Sequence, residues 1–248
     1  MALTISVITA VYNNRQTIAE ALDSTLVQTH PFVETVVVDG ASTDGTRELL
    51  RGYADRLSIL VSEPDKGLYD ALNKGIRLAT GDVIGFMHSD DVFGDDEVLA
   101  RVAAAFADPS VLAVYGDLLY VSKDDPSKVV RCWRAGKFSR RRLCWGWMPP
   151  HPTLYVRRDV YEQVGGFNTR YRIAADYDHI LRVFSIPLLN PVYIPEVLVK
   201  MRLGGSSNRS LSNIIRKSRE DFSALKRNRI GGVGTLVWKN LSKLGQFI

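Results

Sequence analysis

ETVVVDGASTDGTRELL, residues 34–50, decides the fold. A β-branched run stops at Asp39, a cluster of Gly, Ser, Thr and Asp turns the chain, and helix formers begin at Thr46, so the stretch predicts strand, turn and helix. The same unit recurs outward. Residues 4–10 (TISVITA) precede a helical pattern over 17–28, and a strand over 57–62 leads to a helix over 68–79 and a further strand over 82–87. Alternation of this kind predicts an α/β fold with a mostly parallel sheet and helices on both faces. The next helix, over 95–107, puts Val98, Leu99, Val102 and Phe106 on one face with Asp95 as N-cap. Beyond Asp108-Pro109 the pattern turns to strand-like pieces at 112–115, 129–133 and 153–156, then a helix at 176–184. The second half is therefore mixed.

The bulk properties are those of a folded domain: 248 residues, 46% hydrophobic and 24% charged. Two isolated cysteines, Cys132 and Cys144, exclude a disulfide framework or zinc cluster and fit a reducing cytoplasm. Residues 1–12 lack a secretory signal pattern, and no apolar run reaches the roughly 20 residues that span a bilayer, so any membrane contact is expected to be peripheral. The net charge of +5 resides after Asp221, where five basic residues meet no acid; the chain before that is neutral. A basic body that binds nucleic acid is excluded, and a tail that meets an anionic surface is expected. With no repeat or linker, one domain runs to about residue 205, followed by a basic amphipathic extension over 206–248. In it Leu211, Ile214, Ile215, Phe222 and Leu225 fall near one helical face, which suits either core packing or a membrane surface. After the break at 231–234, LVWKNLSKLGQFI (236–248) suits an interface.

In open α/β sheets ligands collect at the carboxyl ends of the parallel strands. The four strand ends here carry AVYN (10–13), DGASTDGT (39–46), EPDKG (63–67) and HSDD (88–91). Each alone is ordinary turn or cap chemistry. Carboxylates at three strand ends together point to a site.

Those motifs, TAVYN (9–13), VDGASTDGT (38–46), DKG to NKG (65–75), TGD (80–82) and SDD (89–91), resemble in order those of glycosyltransferase family two, with its GT-A nucleotide-sugar fold. The resemblance covers residues 3–205 and implies a donor-binding half over about 1–110 and an acceptor half over 111–205. It implies an inverting transferase that moves a sugar from a nucleotide-sugar donor to a hydroxyl of a glycan or polyprenyl-linked acceptor. It also implies a divalent cation, Mg²⁺ or Mn²⁺, contacted by Asp91, with Asp90 on the ribose or a metal-bound water. Asp39 resembles the nucleobase reader, and Arg202 resembles an arginine of a loop that closes over the diphosphate. GGF (165–167) and ADYD (175–178) with Leu181-Arg182 resemble acceptor-side and general-base segments, although Ala175 stands where the family usually has Glu.

The residues themselves add further candidates. Tyr12 either stacks on the base or covers the core, and Lys66 either approaches phosphate or is a surface lysine. Asp70 and Asn73, one turn apart, either face the donor or cap and pack. Asp176 and Asp178 lie about 200° apart on a helix, so one faces the cleft. Asp178 has Arg182 four residues on, which leaves Asp176 as the base. His151 is a candidate for the acceptor or phosphate, and His88 for a supporting role beside the aspartates. Segment 131–147 mixes six basic residues with three of the four tryptophans, Trp145 and Trp147 among them. It suits single-stranded nucleic acid, a lipid-phosphate acceptor, a membrane interface or an arginine-rich folded loop, and the donor motifs upstream favour a polyprenyl-diphosphate-linked sugar. Two rivals remain: a sugar nucleotidyltransferase, against which stands the absence of glycine in 9–14, and a catalytically silent carbohydrate-binding scaffold.

Overall fold

The computed structural model describes residues 3–204 and 211–241. Its elements run β1 (Ile5–Val11), α1 (Ile18–Leu26), β2 (Val33–Asp39), α2 (Thr46–Arg51), β3 (Ile59–Ser62), α3 (Leu68–Leu78), β4 (Val83–Phe86), β5 (Val92–Phe93) and α4 (Val98–Ala105). They continue with β6 (Ala113–Val121), β7 (Val129–Trp133), α5 (Arg140–Cys144), β8 (Tyr155–Arg157), α6 (Arg158–Val164), α7 (Ala175–Phe184), β9 (Pro191–Arg202), α8 (Leu211–Arg227) and α9 (Val233–Leu241). One sheet carries them in the order β3-β2-β1-β4-β8-β6-β9-β5, with β7 paired to β6.

The β3-β2-β1-β4 half is parallel, as the alternation predicts, and β1 is buried along its whole length between β2 and β4. Buried parallel strands read as near-continuous apolar runs, which is why residues 4–10 and 34–39 were legible. The polar Ser6 within β1 is satisfied by Glu34, whose carboxylate also accepts from Thr80 N at 2.8 Å and Thr80 Oγ1 at 2.6 Å. From β8 onward the sheet is mixed: β8 runs antiparallel to β4 and β6, whereas β9 runs parallel to β6.

The sequence pattern does not reveal β9, which carries Pro191 and Pro195. Its register against β6 shifts between Gly116 and Leu118, and Pro195 falls in that irregularity, where a missing N–H costs no ladder bond, while Pro191 is the first residue of the strand. The piece expected at 153–156 starts later, at Tyr155, because His151–Thr153 forms a 3-10 turn. Asp95 caps the turn before α4 rather than α4 itself, accepting from Glu97 N at 2.9 Å and binding Arg101.

The C-terminal helices pack on the core. Ala224, Leu225 and Ile230 join Tyr177, Ile180, Leu181 and Phe184 in one buried cluster. Ile214 and Ile215 point outward, so the apolar residues of α8 do not share a single buried face; the face that docks also carries Asp221. Residues 205–210 and 242–248, Lys243 among them, and the side chain of Leu211 lie outside the described residues. No helix among the described residues is long and apolar enough to cross a membrane.

Candidate active site

The ends of β1, β3 and β4 converge on a cavity of about 450 Å³ whose wall includes Tyr12, Asp65, Leu68, His88, Asp90 and Asp91. Two loops interlock at its rim. Asn13 N donates to Ser42 Oγ at 2.8 Å, and Thr43 N donates to Asn13 Oδ1 at 2.8 Å. The interlock holds Asn13 and Ala41 at φ 48° and 61°. Asparagine tolerates the left-handed region; for Ala41 it costs roughly 1–2 kcal/mol, strain that the surrounding loop bonds must hold.

Asp39 is fully buried, with its carboxylate accepting from Ser42 N at 3.2 Å and Ser62 Oγ at 2.6 Å. As placed it shapes the loop and does not line the cavity. The carboxylate in the wall is Asp65, whose Oδ1 accepts from Gly67 N at 2.7 Å. A Cβ on Gly40 would stand 2.3 Å from Asp65 Oδ2 and 3.2 Å from the Tyr12 ring, so glycine lets both groups close on the turn after β2. Tyr12 keeps 63% of its surface exposed, an open aromatic face beside that carboxylate.

The Ser89-Asp90-Asp91 turn is held from three sides. Asn14 Nδ2 donates to Ser89 Oγ at 2.9 Å and Thr17 Oγ1 to Ser89 O at 2.9 Å. Arg202, at the end of β9, donates from its backbone N to Asp91 Oδ1 at 3.1 Å and from Nη1 to Asp90 O at 2.8 Å. Its Nη2 binds Glu20 of α1. Arg202 is thus a buried brace for the two aspartates and does not hang over the cleft, because those bonds already engage its fork. Asp91 itself is 1% exposed, and its Oδ2 is buried with no partner. Burial, and after it the Asp90 charge, hold its carboxyl well above the usual carboxylate range.

An isolated buried carboxylate oxygen of this kind fits a hard divalent cation. Among the described residues no group of three His, Cys, Asp or Glu side chains could enclose one. A site with one or two protein carboxylates, completed by phosphate oxygens and water, is what Mg²⁺ favours.

A second cavity, about 200 Å³, shares Leu68, His88 and Met201 with the first. Asp176 lines it; Asp178 does not. Asp178 is buried and paired with Arg182 Nε at 3.0 Å, the i,i+4 contact that the spacing predicts, and it also accepts from Asn228 at 3.0 Å. Asp176 Oδ1 accepts from Tyr177 N at 2.8 Å and lies 3.4 Å from the Tyr69 hydroxyl. His151 stacks on Phe86 with centroids 5.2 Å apart, and its buried Nε2 has no partner. Burial, helped by His88, pushes it down to about 3, so it is neutral at pH 7. Burial lowers His88 too, against the pull of Asp90 and Asp176.

Several candidates have other places. Lys66 is exposed, and its backbone N donates to Asp70 Oδ2 at 3.0 Å, so Asp70 ties the loop ahead of α3 to the helix's first turn. Asn73 clamps the GGF segment, exchanging two 2.8 Å bonds with the Phe167 backbone. Neither Asp70 nor Asn73 lines a cavity described above. Trp147 belongs to the aromatic core with Tyr115, Phe138 and Phe184, its indole N–H bonded to Ala135 O at 2.7 Å. Trp145 is exposed and meets Trp238 edge-on at 5.7 Å. The tryptophan in the second cavity is Trp133. Sequence reasoning missed Asp65, although it stands in the DKG motif, and it missed Tyr69, Lys217, Asp221 and Lys239. The last three come from the tail, and only packing brings them to the cavity.

The sequence model of "Glycosyl transferase family 2" matches residues 6–165. A PGL/p-HBAD biosynthesis glycosyltransferase of Mycobacterium bovis is 36% identical over 209 residues, 82% of this chain and 78% of that protein. A mannosyltransferase from Pyrobaculum calidifontis, solved with GDP-Man and Mn²⁺, superimposes with a TM-score of 0.68 at 24% identity, over 94% of this chain and 66% of that one. Staphylococcus aureus TarS residues 1–349, solved with UDP-GlcNAc, gives 0.71 at 19% identity, over 91% and 65%. The chain spans about two thirds of those two solved proteins, and at such identities the likeness is one of fold.

Proposed function

The chain belongs to glycosyl transferase family 2, and on that premise we propose that it is an inverting, metal-dependent transferase that moves a sugar from a nucleoside-diphosphate donor to an acceptor hydroxyl in polysaccharide or glycolipid assembly. One observation carries the reading: two adjoining cavities share His88, with a partnerless buried Asp91 oxygen in one and Asp176 in the other.

In this reading Tyr12 offers its face to the base and Asp65 accepts from a base or ribose donor, while Asp39 holds the turn between them. The Arg202 brace fixes Asp90 and Asp91 before the donor arrives, so no reorganisation is needed when charge develops. Asp91, with Asp90 in support, would hold a divalent cation, Mg²⁺ or Mn²⁺, which when bound would supply charge neutralisation for the departing diphosphate. Asp176 takes the proton of the acceptor hydroxyl as that oxygen attacks the anomeric carbon, and single displacement inverts the centre. Neutral His151 accepts from or donates to the acceptor without adding charge.

The relative named for PGL/p-HBAD biosynthesis supports a lipid-linked glycan acceptor. So does the outer face of the tail, where Trp238, Val237, Val233 and Leu241 are half or more exposed beside Trp145. With Arg141 and Arg142 exposed nearby in sequence, that face suits the cytoplasmic surface of an anionic membrane. The test is nucleoside diphosphate release and sugar transfer from a panel of nucleotide sugars with Mn²⁺. Wild-type turnover that Asp91→Ala and EDTA both leave intact would remove the metal from the reading.

A further inference from the structure

The tail helices are built into the acceptor cavity. Glu220 of α8 accepts from the backbone N–H groups of Arg172 (3.1 Å), Ile173 (2.8 Å) and Ala174 (3.0 Å), just ahead of Asp176. From the other side, Thr235 of α9 donates to Cys144 O at 2.8 Å. Gly146, at φ 80°, lets α9 close in: a Cβ there would stand 2.7 Å from Lys239 Cβ. The two helices so placed bring Lys217, Asp221 and Lys239 into the wall that Asp176 shares. Asp221 Oδ2 and Lys239 Nζ pair at 2.8 Å with side chains 3% and 2% exposed, and Nζ sits 3.2 Å from the Tyr177 ring centre. Asp221 Oδ1 is buried with no partner.

As a mere latch this pair is a poor device. Desolvation offsets most of the Coulomb attraction of a buried ion pair, and apolar residues of similar volume hold such a place at least as well. The empty acceptor oxygen adds a further cost. Both features make sense if a ligand hydroxyl completes the group. A sugar ring presents hydroxyls that donate and accept side by side, which a carboxylate next to an ammonium matches, while Trp133 and Tyr120 give an apolar wall. At about 200 Å³ the cavity is smaller than the roughly 300–1,000 Å³ of drug-sized sites, so it takes one ring.

Resting on the transferase reading above, we infer that Asp221, oriented by Lys239, is a specificity-determining residue that reads a ring hydroxyl of a saccharide acceptor beside the hydroxyl that Asp176 deprotonates. The experiment uses the full chain, a nucleotide sugar that it hydrolyses, and nitrophenyl monosaccharide glycosides with their monodeoxy analogues. Wild type should prefer one glycoside over one of its deoxy analogues by about 10- to 100-fold in kcat/KM, the worth of a hydrogen bond to a charged group. Asp221→Asn should collapse that ratio towards one by raising KM for the hydroxylated acceptor. Because it takes from the buried Lys239 its carboxylate partner at 2.8 Å, Asp221→Asn/Lys239→Met is measured too and should collapse the ratio equally in a folded protein. Arg227→Ala, exposed on the same helix, should keep the wild-type ratio. A ratio preserved in the double variant, or a wild type that neither uses nor binds any glycoside, overturns the inference. Donor hydrolysis in water separates the two claims: its absence from wild type refutes the transferase reading itself.

Discussion

Replacing Asp91 with Asn tests whether the buried carboxylate exists for a cation. In the free protein the side chain is 1% exposed, Oδ1 has one backbone donor, and Oδ2 has nothing. An uncompensated ion in such a place costs several kcal/mol. Asparagine keeps the Oδ1 contact and leaves an unpaired amide N–H, at a cost of about 1–3 kcal/mol. The metal-free variant should therefore melt at or above the wild-type temperature, an unusual outcome for a buried polar substitution. With Mn²⁺ and the cognate nucleotide at 100 times Kd, wild type gains about 2.7 kcal/mol. At roughly 2–4 °C per kcal/mol for a chain of this size, that raises its Tm by about 5–10 °C. The variant should lose most of the gain. Differential scanning fluorimetry with and without EDTA measures both numbers. A variant that melts well below wild type without metal, yet keeps the Mn²⁺-dependent rise, refutes the reasoning.

Other substitutions separate the remaining roles. Asp176→Asn should lower the transfer rate by about 10²–10⁴-fold with donor KM little changed, read by steady-state kinetics; an unaltered rate moves the base elsewhere. Gly40→Ala should push Asp65 and Tyr12 back from the turn and raise donor KM while Tm changes little, because the Cβ meets the tip of a side chain rather than backbone. For His151 the folded value of about 3 lies below the ordinary 6.5, so only the unfolded chain takes up the proton as pH falls through that window. Stability present above pH 6.5 is thus lost on acidification, by on the order of 5 kcal/mol towards pH 3. His151→Gln should flatten that part of a urea-denaturation pH profile, and an identical acid slope in the two proteins would contradict the buried neutral imidazole.

The parallel half was legible because its strands are apolar on both faces and each ends in turn chemistry, so ETVVVDG reads as β2 without tertiary help. The Asp178–Arg182 pairing was legible for the same local reason, since four-residue spacing on a helix is geometry. What escaped is what packing alone determines. The strand β9 hides behind Pro191, which opens it, and Pro195, which a bulge accommodates. Asp39 and Asp65 stand at neighbouring strand ends with equal chemistry, and only the close approach across Gly40 shows which carboxylate meets the cavity. The family resemblance puts Arg202 over the diphosphate, and only packing shows its bonds to Glu20, remote in sequence, and to the Asp90 carbonyl. The tail helix has an apolar count that suits either core or membrane, and its buried charges settle which face docks on the core.

The most direct measurement is nucleoside diphosphate release by the purified chain from a panel of nucleotide sugars, with Mn²⁺, after EDTA, and after Mn²⁺ is restored. Release from at least one donor, loss with EDTA, recovery with Mn²⁺, and none from Asp91→Ala are expected. Release from no donor, or release indifferent to EDTA and to Asp91, would contradict a metal-dependent transferase.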